Sequence, residues 1–185
     1  MKTSKNAIGL LEFNSIAVGI EGADAMLKAA DVEILMANPV CPGKYLALVG
    51  GDVSAVQSSV EAGRAGRERW IVDELILPNV HPSVFPAIAA TSQVERIRSL
   101  GIIETFSASS GIVASDTAAK AAAVQLIEVR LSVGLGGKSF VTLTGDVSAV
   151  EAAVEAAAGG VAASGMLAAK VVIPAPRKEL SERLL

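Results

Sequence analysis

The sequence predicts an α/β fold, an α+β sandwich formed by two tandem domains that each have the element order βαββαβ. Three observations indicate this class: an internal duplication, the same alternation of strands and amphipathic helices in both halves, and a core built from small aliphatic residues. Of the 185 residues, 51% are apolar but only 3% are aromatic. Such a composition favours thin, closely packed layers.

The duplication is visible in matched segments. The segment Ala7-Ile-Gly-Leu-Leu-Glu-Phe resembles Ser99-Leu-Gly-Ile-Ile-Glu-Thr at an offset of 92 residues. Further along, Gly51-Asp-Val-Ser-Ala-Val occurs again from Gly145, at an offset of 94 residues. Matches spread over this much of the chain indicate a repeated domain. We therefore assign the first domain to residues 1–92 and the second to residues 99–185, with a short linker at 92–98.

The first half illustrates how the elements are predicted. Apolar runs indicate strands, and apolar residues with helical spacing indicate helices. Asp52 and its repeat equivalent Asp146 each follow a glycine and precede a helix, which is typical of an N-cap. The predicted elements are a strand at 8–13, a helix at 17–30, a strand at 32–37, a loop at 38–44, a strand at 45–49, a helix at 53–66 and a strand at 71–77.

Composition excludes several classes of protein. A net charge of −3 and an isoelectric point near 5.2 argue against a nucleic-acid partner. The most apolar long stretch, residues 147–169, is rich in Ala and Gly and contains Glu151 and Glu155, so we expect no membrane span. The single cysteine excludes an internal disulfide framework and a metal site built from several cysteines of one chain, and the single histidine argues against a His-based catalytic triad or a poly-His metal site. We expect a protein that is not an enzyme.

The motifs resemble the bacterial microcompartment shell domain. The segments that carry the resemblance are Ala-Ile-Gly-Leu-Leu-Glu, Gly-Ala-Asp-Ala-Met-Leu-Lys-Ala-Ala, Gly-Asp-Val-Ser-Ala-Val and Leu-Ile-Leu-Pro, within residues 7–82 and 100–176. The resemblance implies an unpermuted tandem shell protein that forms a pseudohexameric homotrimer, a flat tile in the microcompartment shell in the cytoplasm. It also implies other shell proteins as partners, and an encapsulated redox enzyme as a further one.

In this family, the loop between the second and third strands faces the central axis of the tile. The resemblance therefore implies that two loops of this chain line a pore. Their residues are Asn38, Pro39, Val40, Pro42, Gly43 and Lys44 in the first half and Ser132, Val133, Gly134, Leu135, Gly136 and Gly137 in the second.

Cys41 lies within the first of these loops. The loop Pro39-Val-Cys-Pro-Gly-Lys-Tyr45 resembles that of the propanediol-utilisation type of shell subunit, and this resemblance implies one [4Fe–4S] cluster per trimer, bound by Cys41 of each chain. Three thiolates on a threefold axis match the symmetry of such a cluster. The cluster would serve electron transfer or cluster delivery across the shell. The alternatives are a bare thiol ring around a metabolite-conducting pore, and a soluble ligand-sensing trimer.

Three residues are candidates for contacts at the tile edge. Lys28 matches the lysine that the family uses where neighbouring tiles meet, although a lysine at a helix end also interacts favourably with the helix dipole in solvent. Asn79 and His81 stand where the family often has Pro-Arg-Pro-His after the last strand, and this sequence lacks that arginine. We assign no role to Glu12 and Glu104.

Overall fold

A computed structural model describes residues 5–185 of the chain. The chain forms two compact units, the first ending at Val80 and the second running from His81 to Leu185. Each unit contains a four-stranded antiparallel sheet. Residues 81–98, which include the linker expected from the sequence, belong to the second unit.

The first unit has the predicted βαββαβ order. Its sheet order is β2-β3-β1-β4, so β1 lies in the interior and β2 at an edge. The elements are β1 (Ala7–Phe13), α1 (Ile16–Ala29), β2 (Glu33–Val40), β3 (Lys44–Gly51), α2 (Val53–Arg64), a short 3-10 turn (Glu68–Trp70) and β4 (Ile71–Pro78).

The second unit repeats this order, with sheet order β6-β7-β5-β8. The duplicated fold expected from the sequence is therefore confirmed. A short helix precedes the repeat and another follows it. The elements are α3 (Val84–Ile88), β5 (Ser99–Thr105), α4 (Ala108–Ala121), β6 (Gln125–Leu131), β7 (Ser139–Gly145), α5 (Val147–Ala162), β8 (Leu167–Pro174) and α6 (Lys178–Ser181).

One boundary differs in a way that matters for the site. The sequence predicts a loop at residues 38–44, but β2 continues to Val40 and β3 begins at Lys44. Asn38 and Pro39 pair with Leu46 and Tyr45 across the strands. Proline is tolerated there because β2 is an edge strand, where the missing N–H need not be paired. The connection is thereby reduced to residues 41–43.

The helices of the first unit pack on one face of its sheet. Its core joins Leu11 and Phe13 of β1 to Met26 of α1 and to Val56 and Val60 of α2. This alternation follows the two-residue period of a strand. Glycine permits close approach of the two helices: a Cβ at Gly63 of α2 would lie 2.5 Å from Met26 Cγ of α1.

The helix starts confirm one predicted cap and modify the other. Asp52 Oδ1 accepts a hydrogen bond from Ala55 N at 2.9 Å, as an N-cap does. This bond, followed by one from Ser54, holds the pKa of Asp52 below its usual value. Asp146 occupies the equivalent position, but its carboxylate pairs with Arg98 in place of a capping bond. Arg98 is brought there because its N–H donates to Thr144 Oγ1.

Among residues 5–185, none of the helices is both long enough and apolar enough to span a bilayer.

Candidate functional site

The turn that carries Cys41 is short and sharply bent. Residues 41–43 connect the last residue pair of the β2–β3 ladder, Val40 and Lys44. Cys41 is a free thiol of intermediate exposure, and the Cys41–Pro42 peptide bond is cis. Gly43 has a φ of +73°, a conformation that side chains other than glycine rarely adopt. Within the described chain, no atom lies within 4 Å of a Cβ built on it, so Gly43 is needed for backbone conformation and not for space.

An ion pair lies at the base of this turn. Lys44 Nζ is 3.2 Å from Glu12 Oε1, and Glu12, at the end of β1, is only 3% exposed. That contact meets the distance for an ion pair but not the geometry of a hydrogen bond, because Glu12 Oε1 remains without a hydrogen-bond donor among residues 5–185. The positive charge of Lys44 is therefore engaged by a buried carboxylate.

The second unit has the same ion pair beside a longer loop. Lys138 Nζ donates to Glu104 Oε1 at 2.9 Å, and both residues are the repeat equivalents of Lys44 and Glu12. Sequence reasoning left Glu12 and Glu104 without a role. The signal that could have found it is the repetition itself, since both the carboxylate and the lysine occur in each half.

The second-unit loop spans residues 132–138 and is closed by its own hydrogen bonds. Ser132 N donates to Lys138 O at 3.0 Å, and Ser132 Oγ donates to Gly137 O at 3.2 Å. Gly134, Gly136 and Gly137 all have positive φ angles. The loop therefore has an irregular glycine-rich backbone where the first unit has a thiol-bearing turn.

Within one chain the described residues form no metal site. No group of three or more His, Cys, Asp or Glu side chains among residues 5–185 is arranged to hold a metal ion. Cys41 is the one cysteine of the sequence.

The candidate edge residues fall in different units. Lys28, on α1 of the first unit, pairs with Asp24 at 2.5 Å, and both side chains are largely exposed. Asn79 follows β4 with a φ of +54°. His81 belongs to the second unit, where its N–H donates to Asp116 Oδ1 at 2.8 Å and its ring Nδ1 lies 2.8 Å from Ser83 Oγ. These contacts fix the backbone and the ring of His81.

Comparison with known proteins identifies the repeated unit. The BMC domain matches residues 7–80 and 99–176. The bacterial microcompartment shell protein PduT of Citrobacter freundii is 42% identical over 179 residues, which cover 97% of each chain. The shell protein EutM of Salmonella typhimurium is 40% identical over 76 residues, which cover 41% of this chain and 77% of EutM.

A solved structure agrees with these sequence matches. A microcompartment protein from Desulfitobacterium hafniense superposes with a TM-score of 0.93 at 57% identity, covering 97% of this chain and 99% of that one. These relatives confirm the expected structural, non-enzymatic role and the expected location in a microcompartment shell. The chain belongs to the BMC-domain family and is a bacterial microcompartment shell protein with two tandem domains.

Proposed function

We propose that three copies of this chain form a shell tile, and that Cys41 of each copy binds one shared [4Fe–4S] cluster at the central opening. The tile would pass electrons, or deliver clusters, between the two sides of the shell. The observation that carries this proposal is the place of Cys41: the chain's one thiol is partly exposed at the tip of a β2–β3 turn.

Ring formation is supported by unequal burial of repeated residues. Helix α4 buries residues whose counterparts on α1 are exposed, although the two helices occupy the same place in their repeats. The exposed apolar face of α1 is removed from water when another copy packs on it, and a threefold ring buries this face in every copy. Ile16, Ile20 and Leu27 are 39%, 54% and 42% exposed, whereas their counterparts Ala108, Ile112 and Ala119 are 0%, 0% and 8% exposed.

The thiol has the chemistry and symmetry that a cluster requires. A closed ring of three chains supplies three thiolates, which can hold three irons of a cubane and leave the fourth to another ligand. When bound, such a cluster supplies one-electron transfer. The residues on either side favour a thiol held at a defined position, because Gly43 sets the turn and Glu12 engages Lys44 at its base.

The test is iron and acid-labile sulfide content per trimer after anaerobic purification. We expect about four of each per trimer, the composition of a [4Fe–4S] cluster. A Cys41→Ser variant should keep the mass of the wild-type assembly but contain neither iron nor sulfide. An anaerobic wild-type trimer without iron would refute the cluster and leave the tile intact.

A second candidate is a metabolite-conducting opening without a cluster. It is favoured by the loop at residues 132–138, which has no thiol and leaves Val133 46% exposed. In that case Cys41→Ser would leave both the metal content and the permeability of assembled shells unchanged. The relatives offer no support for a free ligand-sensing trimer. Other shell proteins, and an encapsulated redox enzyme as electron partner, are the proposed binding partners.

A further inference from the structure

We propose that the segment after β8 of one chain docks on α1 of a second copy, where Asp24 accepts a hydrogen bond from the backbone N–H of Arg177. This inference rests on the trimer proposed above and identifies a specific contact that would close it. It follows from a contact that the second unit makes and that the first unit lacks.

The template is a carboxylate of the second unit with two donors. Asp116 lies on α4, and its side chain is 8% exposed. One of its oxygens accepts from His81 N at 2.8 Å, and the other accepts from Lys120 Nζ at 2.6 Å. Asp116 is therefore buried with both oxygens satisfied. The donor His81 comes three residues after Pro78, the last residue of β4.

The first unit contains half of this arrangement. Asp24 and Lys28 are the repeat equivalents of Asp116 and Lys120, and they make the same pair at 2.5 Å. The side chain of Asp24, however, is 59% exposed. Among residues 5–185 its Oδ1 has no hydrogen-bond donor, since only Oδ2 is engaged by Lys28. Asp24 thus lacks the backbone donor that its equivalent has.

The segment after β8, at the end of the second repeat, is equivalent to the segment after β4 that supplies the His81 donor. β8 ends at Pro174, as β4 ends at Pro78. The next residue has a positive φ in both places, 54° at Asn79 and 49° at Ala175. That conformation is costly for alanine, so it persists only where the surrounding structure imposes it. Its occurrence after both β4 and β8 indicates that the chain turns in the same direction at the two places. Two residues further on, Arg177 takes the place of His81.

The helices that follow show the same difference in burial. Val84 of α3 is 0% exposed and packs within the second unit, whereas its counterpart Leu180 of α6 is 45% exposed. Helix α1 exposes Ile20 to 54%. Apolar surface is therefore available on both the segment and the helix. Their charges are complementary as well, because Arg177 carries a positive charge and Asp24 a carboxylate, and the two side chains are 89% and 59% exposed.

The test is residue-specific cross-linking in a Cys41→Ser background, which removes the native thiol. Asp24→Cys and Arg177→Cys are combined and treated with a short bifunctional maleimide, and chain mass is read on a denaturing gel. We expect covalent dimers and trimers. Each single variant should remain a monomer on the gel, and so should Glu61→Cys combined with Arg177→Cys, which places the first thiol on α2. All three positions are exposed, so the fold should tolerate the changes.

Light scattering of the Cys41→Ser background separates the two proposals. A monomer would refute the trimer itself, whereas a trimer without the 24–177 cross-link would overturn this inference alone. As a second measure, Asp24→Ala should raise the dissociation constant of the assembly about tenfold or more, as expected for loss of a hydrogen bond to a charged group. An unchanged dissociation constant would also overturn the inference.

Discussion

Replacing Lys44 with methionine would leave the buried carboxylate of Glu12 without its counter-ion. Methionine keeps the length and apolar stem of the lysine, so the change removes the charge and little else. Glu12 is 3% exposed, and Lys44 Nζ at 3.2 Å is its ion-pair partner. We therefore expect Lys44→Met to destabilise the first unit, because the carboxylate is then buried without a compensating charge.

The magnitude follows from burial. Removing one partner of a fully buried ion pair costs about 3–5 kcal/mol. The Lys44 side chain is 27% exposed, so water partly screens the pair, and we expect a loss of about 2 kcal/mol. With a urea dependence of about 1 kcal/mol per molar for a domain of this size, the midpoint of unfolding should fall by roughly 2 M.

Urea unfolding followed by two probes measures this change. Trp70 is the one tryptophan of the sequence and packs against the core of the first unit, so its fluorescence reports on that unit. Far-UV circular dichroism follows both units. Protein concentration is held constant between variants, because assembly makes apparent stability concentration-dependent.

Lys138→Met is the matched control, because it breaks the equivalent pair in the second unit. There the side chains of Lys138 and Glu104 are 44% and 38% exposed, and exposed pairs of this kind are worth about 0.5 kcal/mol. If Lys44→Met lowered the midpoint by less than about 0.5 M, or by no more than Lys138→Met does, the argument from burial would be wrong. The double variant Glu12→Gln with Lys44→Met should recover part of the loss.

Two further predictions concern packing and capping. Gly63→Ala should destabilise the protein by about 1–3 kcal/mol, because the new Cβ would lie 2.5 Å from Met26 Cγ. Gly159→Ala in α5 is the control: its Cβ meets open space among the described residues, so the variant should be more stable by up to about 1 kcal/mol. Thermal unfolding measures both changes. Asp52→Ala should destabilise at neutral pH. Since the folded pKa of Asp52 is lowered, its contribution is present above its unfolded value of 3.8 and is lost at lower pH. The urea midpoints of the wild type and of Asp52→Ala should therefore converge as the pH is lowered. A difference that stays constant with pH would contradict this.

The elements of the site were predictable to different degrees. The strands and helices followed from apolar periodicity, and the duplication from Gly51 and Gly145 onward was plain from identity alone. The loop before Lys44 was predicted too long because prolines usually interrupt strands, and only the sheet order shows that Pro39 lies on an edge where its missing N–H is harmless. The contacts of Glu12 with Lys44 and of Asp116 with His81 join residues distant in the chain, which local patterns do not encode.

By itself, the sequence determined the repeated βαββαβ fold, the single thiol and its position between two prolines, because these depend on residue identity and short-range periodicity. Only the tertiary structure decided which equivalent residues are buried: Ile112 on α4 is buried and Ile20 on α1 is not. The physical reason is that burial is set by what packs against a residue and not by its own chemistry. Two halves with the same fold can therefore expose different surfaces, and the exposed surface of α1 is where a second copy would bind.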